Sequence, residues 1–357
     1  MPELWTDGEL DRALADQPAG PEFGAAARAR AVARMDEAFA EPSSRRHRWV
    51  AAAAVVTLVV GGMFAVRALD HPPAAGAAAS LEQAAEGARK SPDDPLAAGE
   101  YHYLARHSWD LASGRTRAGA PLGVLVHEVR RTWIPGDRSA EWLERSSTVD
   151  WKWVLGSQEQ AETEGDDGLL GALHRTTGER KGPCGDFPGD NGELGGTPDD
   201  GTPCAERQGS WHDPAPPFLA ALPLDPDALY SQLDSAAHGN AAEALSLSAG
   251  VLSAPDASPA LRAALYRALI RLPTLEITEN AADLDGRTGV ALGVLDNPAA
   301  PRLRFDIVVD PTTGRFIGNR TVLAGPGVDR YAGLPAGTAI EFSSFVTATV
   351  RAVGVEP

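Results

Sequence analysis

A chain of 357 residues with 43% hydrophobic and 6% aromatic content can bury one large core or two smaller ones, which excludes wholesale disorder. Its formal charge of -17 is uneven: residues 1–44 carry nine acids and four arginines, Arg45, Arg46 and Arg48 follow, and the chain beyond Arg67 sums to -16. Duplex nucleic acid is thereby excluded as a partner of that larger part, because such binding draws its free energy from cations that replace condensed counterions.

The first 48 residues read as a tail with two short amphipathic helices. Thr6-Asp7-Gly8-Glu9 has the form of a capping box and sets Leu10 and Leu14 on one face. A second helix from about Pro21 to Ala40 places Val32, Met35 and Phe39 together. Two such helices bury little surface alone. The tail is therefore either a solvated leader or a docking element for a partner, with Leu10, Leu14, Val32, Met35 and Phe39 as the contact residues. It has no cysteine and His47 is its only histidine, which rules out a zinc-bound module of the His and Cys type.

From Trp49 to Val66 runs WVAAAAVVTLVVGGMFAV, eighteen residues without a charge. At about 1.5 Å per residue it crosses most of a roughly 30 Å hydrocarbon layer, and Arg48 and Arg67 can snorkel to extend it. Arg45, Arg46 and Arg48 precede the run and Trp49 stands at its interface. By the positive-inside rule the N-terminus stays in the cytoplasm, and the large domain lies outside the cell membrane. Nearly fifty residues precede the run, too many for the n-region of a cleaved signal, so an uncleaved signal anchor is expected.

Residues 67–80 are rich in Ala, Pro and Gly and read as a spacer, and the outer domain is taken as 81–357. A short helix is predicted from Leu81 to Lys90. Strands follow at Tyr101 to Leu111, Val124 to Trp133 and Ala140 to Val154, with Trp133, Trp142, Trp151 and Trp153 as large apolar surfaces. Between 182 and 217 seven prolines and eight glycines fall in 36 residues, which reads as an exposed loop. It holds the only two cysteines, Cys184 and Cys204. In an oxidising compartment these form one staple, closing a loop of about 20 residues and worth roughly 3 kcal/mol.

Asp225-Pro226 and Ser258-Pro259 are cap-plus-proline starts for helices bearing Leu229 and Leu233, then Leu261, Leu265 and Leu269, the second ending at Pro273. Five strands close the domain: Leu275 to Asn280, Thr288 to Leu295, Arg302 to Val309, Phe316 to Leu323 and Ala339 to Val353. Arg302, Arg304 and Asp306 alternate with Leu303, Phe305, Ile307 and Val309, so this sheet is expected to have one wet face. Asp285-Gly286 and Asp310-Pro311-Thr312-Thr313-Gly314 are turn sequences joining an antiparallel meander. The order of elements predicts an α+β domain, a curved antiparallel β-sheet covered on one face by inserted helices.

The chemistry expected of an enzyme is not visible. The eight histidines are scattered, with no HExxH, no GxSxG elbow, no phosphate loop and no GxGxxG after a strand. Acids at Glu162 to Asp167 and Asp186 to Asp200 lack EF-hand spacing and read as solvated loop residues. Asp283-Leu284-Asp285-Gly286-Arg287 reads as a hairpin turn. No catalytic, cofactor or metal residue is assigned.

Several phrases are specific when taken together: the arginines before the anchor, TWIPGDRSAEWL at 132–143, LPLDPDALYSQL at 222–233, LRAALYRALIRLP at 261–273, LDGRTGVAL at 284–292 and DPTTGRFIG at 310–318. With them nearly the whole chain resembles a family of actinobacterial single-pass membrane proteins often encoded beside an extracytoplasmic-function sigma factor. The resemblance implies a transmembrane regulator whose tail, residues 1–48, touches a sigma factor while the outer domain senses something. More distantly, the predicted architecture is similar to the curved-sheet fold of periplasmic lipoprotein carriers. That likeness implies the rival reading, an extracytoplasmic binding module for a lipid, a lipoprotein or an envelope polymer.

Overall fold

The computed structural model describes residues 73–357, apart from 93–95, 165–166, 174–177, 189–193, 196–202, 204–205 and 297–300. The tail, its candidate docking residues, the Trp49 to Val66 run with its arginine flanks, and Cys204 lie outside the described residues. Among the described residues no helix is long and apolar enough to cross a membrane.

The described chain is α+β. A first helix, α1 (Pro73–Arg89), precedes three long strands, β1 (Tyr101–Arg115), β2 (Pro121–Pro135) and β3 (Glu141–Leu155). Two short helices, α2 (Gln158–Glu164) and α3 (Asp167–Leu173), lead to β4 (Gly178–Pro183) and a two-residue pairing of β5 (Phe187–Pro188) with β6 (Leu194–Gly195). Four helices follow: α4 (Pro216–Ala221), α5 (Pro226–Ala236), α6 (Ala241–Ser253) and α7 (Pro259–Leu269). The chain then returns to strands β7 (Glu276–Leu284), β8 (Arg287–Leu295), β9 (Leu303–Asp310), β10 (Arg315–Leu323) and β11 (Ala339–Val350). Nine strands form one antiparallel sheet in the order β4-β3-β2-β1-β11-β10-β9-β8-β7. Two meanders therefore meet at its middle, where β1 pairs with β11 from Tyr101–Val350 to Asp110–Glu341.

Local chemistry accounts for these elements. Asp225 and Ser258 cap α5 and α7 by accepting from the amides of Ala228 and Leu261, each with proline next in line. The Asp285-Gly286 turn has φ of 56° and 74°, the geometry a two-residue hairpin needs. At the β9–β10 turn Asp310 accepts from the amides of Thr312 and Thr313 and from the Thr313 hydroxyl. The helix predicted from Leu81 begins at Pro73 instead. Residues 73–80, read as spacer, join it because alanine is the best helix former and proline is tolerated in the first turn.

The helices pack on one face of the sheet. Leu229, Leu233, Leu245, Leu261, Leu265 and Leu269 fill the layer against Leu292, Val294, Ile307 and Val309, while Ala77, Leu81, Ala84, Ala85 and Ala88 of α1 join them along a helical stripe. Each buried leucine contributes about 1.5–3 kcal/mol. The space between helices and sheet is thus occupied by side chains. Farther along the same face, α2 and α3 supply Ala161, Leu169 and Leu173 to Leu122, Val124 and Val126.

The opposite face differs from the wet one expected. Asp306 is fully buried and Arg320 is 1% exposed. Arg320 lies 2.8 Å from Asp306 and 3.0 Å from Glu279, and Arg304 reaches the same Asp306 at 2.8 Å. Register shifts on either side of Glu279 bend β7, so that Ala282 and Leu284 pack with Ala291, Val308, Ile317 and Phe342. Gly293 completes the arrangement, since a Cβ there would run into the Asp306 carboxylate. Toward β2 the same face holds Tyr103, Ala105, Trp133 and Leu143, with the rings of Tyr103 and Trp133 edge-to-face at 5.4 Å. The C-terminal residues lie against it: Trp133 Nε1 donates to the Val355 carbonyl at 2.6 Å and Arg131 pairs with Glu356 at 3.3 Å.

Two other expectations change. The glycine- and proline-rich stretch 182–217 is not uniformly exposed, because Phe187 is buried beneath Arg180 and Trp211 is buried in the main core against Phe218. Of the four tryptophans expected to supply apolar surface, Trp133 is buried but Trp151 is 39% exposed, since no helix crosses β3 at that point.

Candidate binding site

A recess of about 220 Å³ lies where the C-terminal ends of α1 and α6 and the first turns of α7 meet the sheet. Three arginines from three separate elements line it: Arg262 of α7, Arg287 at the start of β8 and Arg315 at the start of β10. No Asp or Glu is among the lining residues, in a chain whose net charge is -17. Leu252, Phe316 and Phe345 make the apolar wall, the two rings tilted with centroids 5.6 Å apart.

Two of the arginines are held by the backbone. Arg287 donates to the Phe345 carbonyl at 2.5 Å and to the Ile317 carbonyl at 3.4 Å, and Arg262 donates to the Ala254 carbonyl at 3.0 Å. Burial pushes the Arg287 guanidinium below its ordinary value; Asp285 opposes that shift and Arg315 adds to it. Arg315 is exposed at the rim, and among the described residues it makes no ion pair. Of the nearby acids, Asp285 acts on Arg287, and Asp310 is held within its own turn beside Arg315. Burial works to raise the Asp310 carboxyl, but hydrogen bonds from Thr313 and Thr312 outweigh it and Asp310 ionises below the usual value within its own turn.

The floor is built by a close contact of backbones. Gly314, with φ of 68°, sits against α1 so tightly that a Cβ would meet the Ala88 amide and the Ala84 carbonyl, and one at Gly87 would meet Gly314 in return. Tyr266, fully buried, donates its hydroxyl to the Gly314 carbonyl at 3.1 Å. Burial drives that phenol far above its ordinary value, so it is a fixed donor.

Beyond Phe345 the same face of β11, β1 and β2 turns polar. Arg106 Nε donates to Ser343 Oγ at 3.1 Å, Ser108 is buried beside them, and Arg130 pairs with Glu128 at 3.0 Å. On the opposite face the turn residue Asp285 reaches β1 and β11. Its carboxylate lies 3.1 Å from His107 Nδ1 and accepts from Ser344 Oγ at 3.3 Å. His127 stacks on Trp109 at 4.4 Å, and burial followed by repulsion from His107 holds its imidazole below the ordinary value. Through its contacts with His107 and Ser344 the Asp285 carboxylate clasps the β7–β8 turn to β1 and β11.

The residues singled out in the sequence do not converge on this recess. Cys184 sits in the turn after β4 with φ of 65°, its amide donating to the Ala140 carbonyl at 3.1 Å, and no free thiol occurs among the described residues. Asp186, in the acidic stretch, is paired through both oxygens with Arg207 at 2.7 Å. Among the described residues no group of three or more His, Cys, Asp or Glu is placed to hold a metal ion. The recess itself was missed because Arg262, Arg287 and Arg315 are far apart in sequence. All three do lie inside phrases noted for their specificity, LRAALYRALIRLP, LDGRTGVAL and DPTTGRFIG, and that was the available signal. No known protein family, no curated protein and no solved structure matches the chain.

Proposed function

We propose that the chain is a single-pass, membrane-anchored, non-enzymatic regulator of the cell envelope. Its outer domain senses a ligand and its cytoplasmic tail, residues 1–48, acts on a sigma factor. The observation that carries the sensing half is the recess lined by Arg262, Arg287 and Arg315, a preformed cavity with unlike walls. Its floor is the end of α1, a helix of 17 residues whose other end stands close in sequence to the Trp49 to Val66 run. A ligand in the recess therefore bears on the element nearest the anchor.

The regulatory half rests on the amphipathic tail, the arginine-flanked apolar run and the resemblance to proteins encoded beside extracytoplasmic-function sigma factors. The outward placement agrees with a Cys184–Cys204 disulfide, which belongs to the same proposal. The test uses the tagged full-length chain, solubilised from membranes. The sigma factor encoded beside its gene is expected to co-purify, and deletion of residues 1–48 is expected to abolish capture. Absence of capture, together with unchanged transcription on deleting the whole gene, would overturn the reading.

The second reading, a binding module for a lipid, a lipoprotein or an envelope polymer, draws on the helix-first order and the single antiparallel sheet, which suit the curved-sheet arrangement of lipoprotein carriers. The polar strip of Arg106, Ser108, Glu128, Arg130 and Ser343 favours a hydrated polymer over an acyl chain. A ligand of constant mass in native mass spectrometry of the full chain would support it, and an empty domain would count against it.

A further inference from the structure

We infer that the recess is a specific site for an organic anion, a phosphate or carboxylate group borne on a short apolar stem. The inference rests on the sensor reading only in treating that anion as the signal. The argument is one of charge and shape. Three arginines line one cavity with no Asp or Glu among its lining residues, although acids outnumber bases 49 to 32 in the chain. Gathering like charges around a partly buried space is costly, and the arrangement becomes favourable once an anion occupies it.

The lining divides accordingly. Arg287 and Arg315 stand on adjoining turns at one end of the sheet, with Arg262 on α7, and Ser91, Ser253, Thr313 and Thr347 also line the recess, the hydroxyls of Ser253 and Thr313 donating to the Gly250 carbonyl and the Asp310 carboxylate. Guanidinium donors with hydroxyls suit a tetrahedral or planar oxyanion. Arg287 is pre-oriented by its bonds to the carbonyls of Phe345 and Ile317, so little side-chain freedom is lost when an anion arrives. The tilted pair Phe316 and Phe345, with Leu252, then gives the stem an apolar surface. A volume of about 220 Å³ holds a headgroup and a few carbons but not a full acyl chain. The class includes both free metabolites and the headgroup end of an envelope lipid.

The test uses the full-length chain in nanodiscs of zwitterionic phosphatidylcholine, titrated calorimetrically with hexyl phosphate, inorganic phosphate and hexanol. Hexyl phosphate is expected to saturate one site and to bind at least about tenfold more tightly than either fragment. Arg315→Gln, at the exposed rim, is expected to weaken it by about tenfold or more, whereas the control Arg351→Gln, an exposed arginine elsewhere, leaves it unchanged. Repeating the titration in nanodiscs containing anionic lipid separates the two sources: competition identifies the headgroup end of a lipid, and an unchanged isotherm identifies a free anion.

The absence of saturable binding, equal affinity for hexyl phosphate and inorganic phosphate, or equal behaviour of the two variants overturns the assignment. If the sigma factor fails to co-purify while Arg315-dependent binding survives, the ligand assignment stands and the regulatory reading falls. The reverse result overturns the assignment alone.

Discussion

His127 illustrates how a single residue takes its chemistry from its neighbours. It is pressed flat on Trp109, with His107, Asp285 and Asp150 as the charged or titratable groups facing it, and burial dominates the balance to hold its proton affinity down. The unfolded chain, with a value of about 6.5, therefore binds a proton first. The stability this residue contributes is complete above that value and is lost as the pH falls through it toward the folded value. His102 is lowered by burial as well and acts in the same direction. Urea midpoints of the full chain are expected to fall between about pH 7.5 and 5.5, and His127→Gln is expected to flatten part of that dependence. An identical pH dependence in the variant would show that His127 takes no part. Nothing in the sequence around His127 announces this, because the shift is produced by partners on other strands.

At the scale of elements, the contact between α1 and the β9–β10 turn brings two backbones together with a glycine on each side. Gly314→Ala would place a methyl group at positive φ, costing about 1–2 kcal/mol, and would also drive α1 away from the turn, for a total of about 2 kcal/mol or more. Gly239→Ala, also at positive φ but with open space around it, is the comparison and should lose only that backbone part. Equal losses in thermal unfolding would show that the close approach is unimportant. The turn itself was legible, since Asp-Pro-Thr-Thr-Gly is turn chemistry, but its burial against a helix was not. Strands β1 and β9 were legible from alternation and the others from apolar runs between turn signals, as were α5 and α7 from their caps. Helix α6 was passed over because apolar and small residues surround it: Ala242, Ala244, Leu245, Leu247, Ser248, Ala249, Val251 and Leu252 are all buried, so no amphipathic stripe exists to be read. Its signal was the Asn240 cap with Glu243 three residues on, and Asn240 does accept from the amides of Ala242 and Glu243. Arg304 and Asp306 were misread as solvent-facing because alternation reports polarity, and the bent β7 that covers them is invisible to a local pattern.

For the whole molecule the sheet order decides what can be removed. Truncation before Ala339 would take away β11, the strand that joins β1 to β10, and leave two half-sheets with open edges. The expected outcome is a protease-sensitive chain, read by limited proteolysis against the intact protein. A shortened chain as resistant as the full one would contradict the central role of that pairing. The α+β class and the antiparallel meanders were foreseeable from the run of elements. The pairing of the first strand with the last was not, because register between distant strands leaves no mark on either.

That seam also governs biogenesis. A chain made from its N-terminal side presents β1 early and β11 as the last of its strands, with more than two hundred residues between the partners. Contacts so distant along the chain close slowly, so the first meander must wait with an uncovered strand edge while the helices and the second meander emerge. The rate of synthesis and the supply of holding chaperones, rather than thermodynamic stability, will set the yield of folded protein.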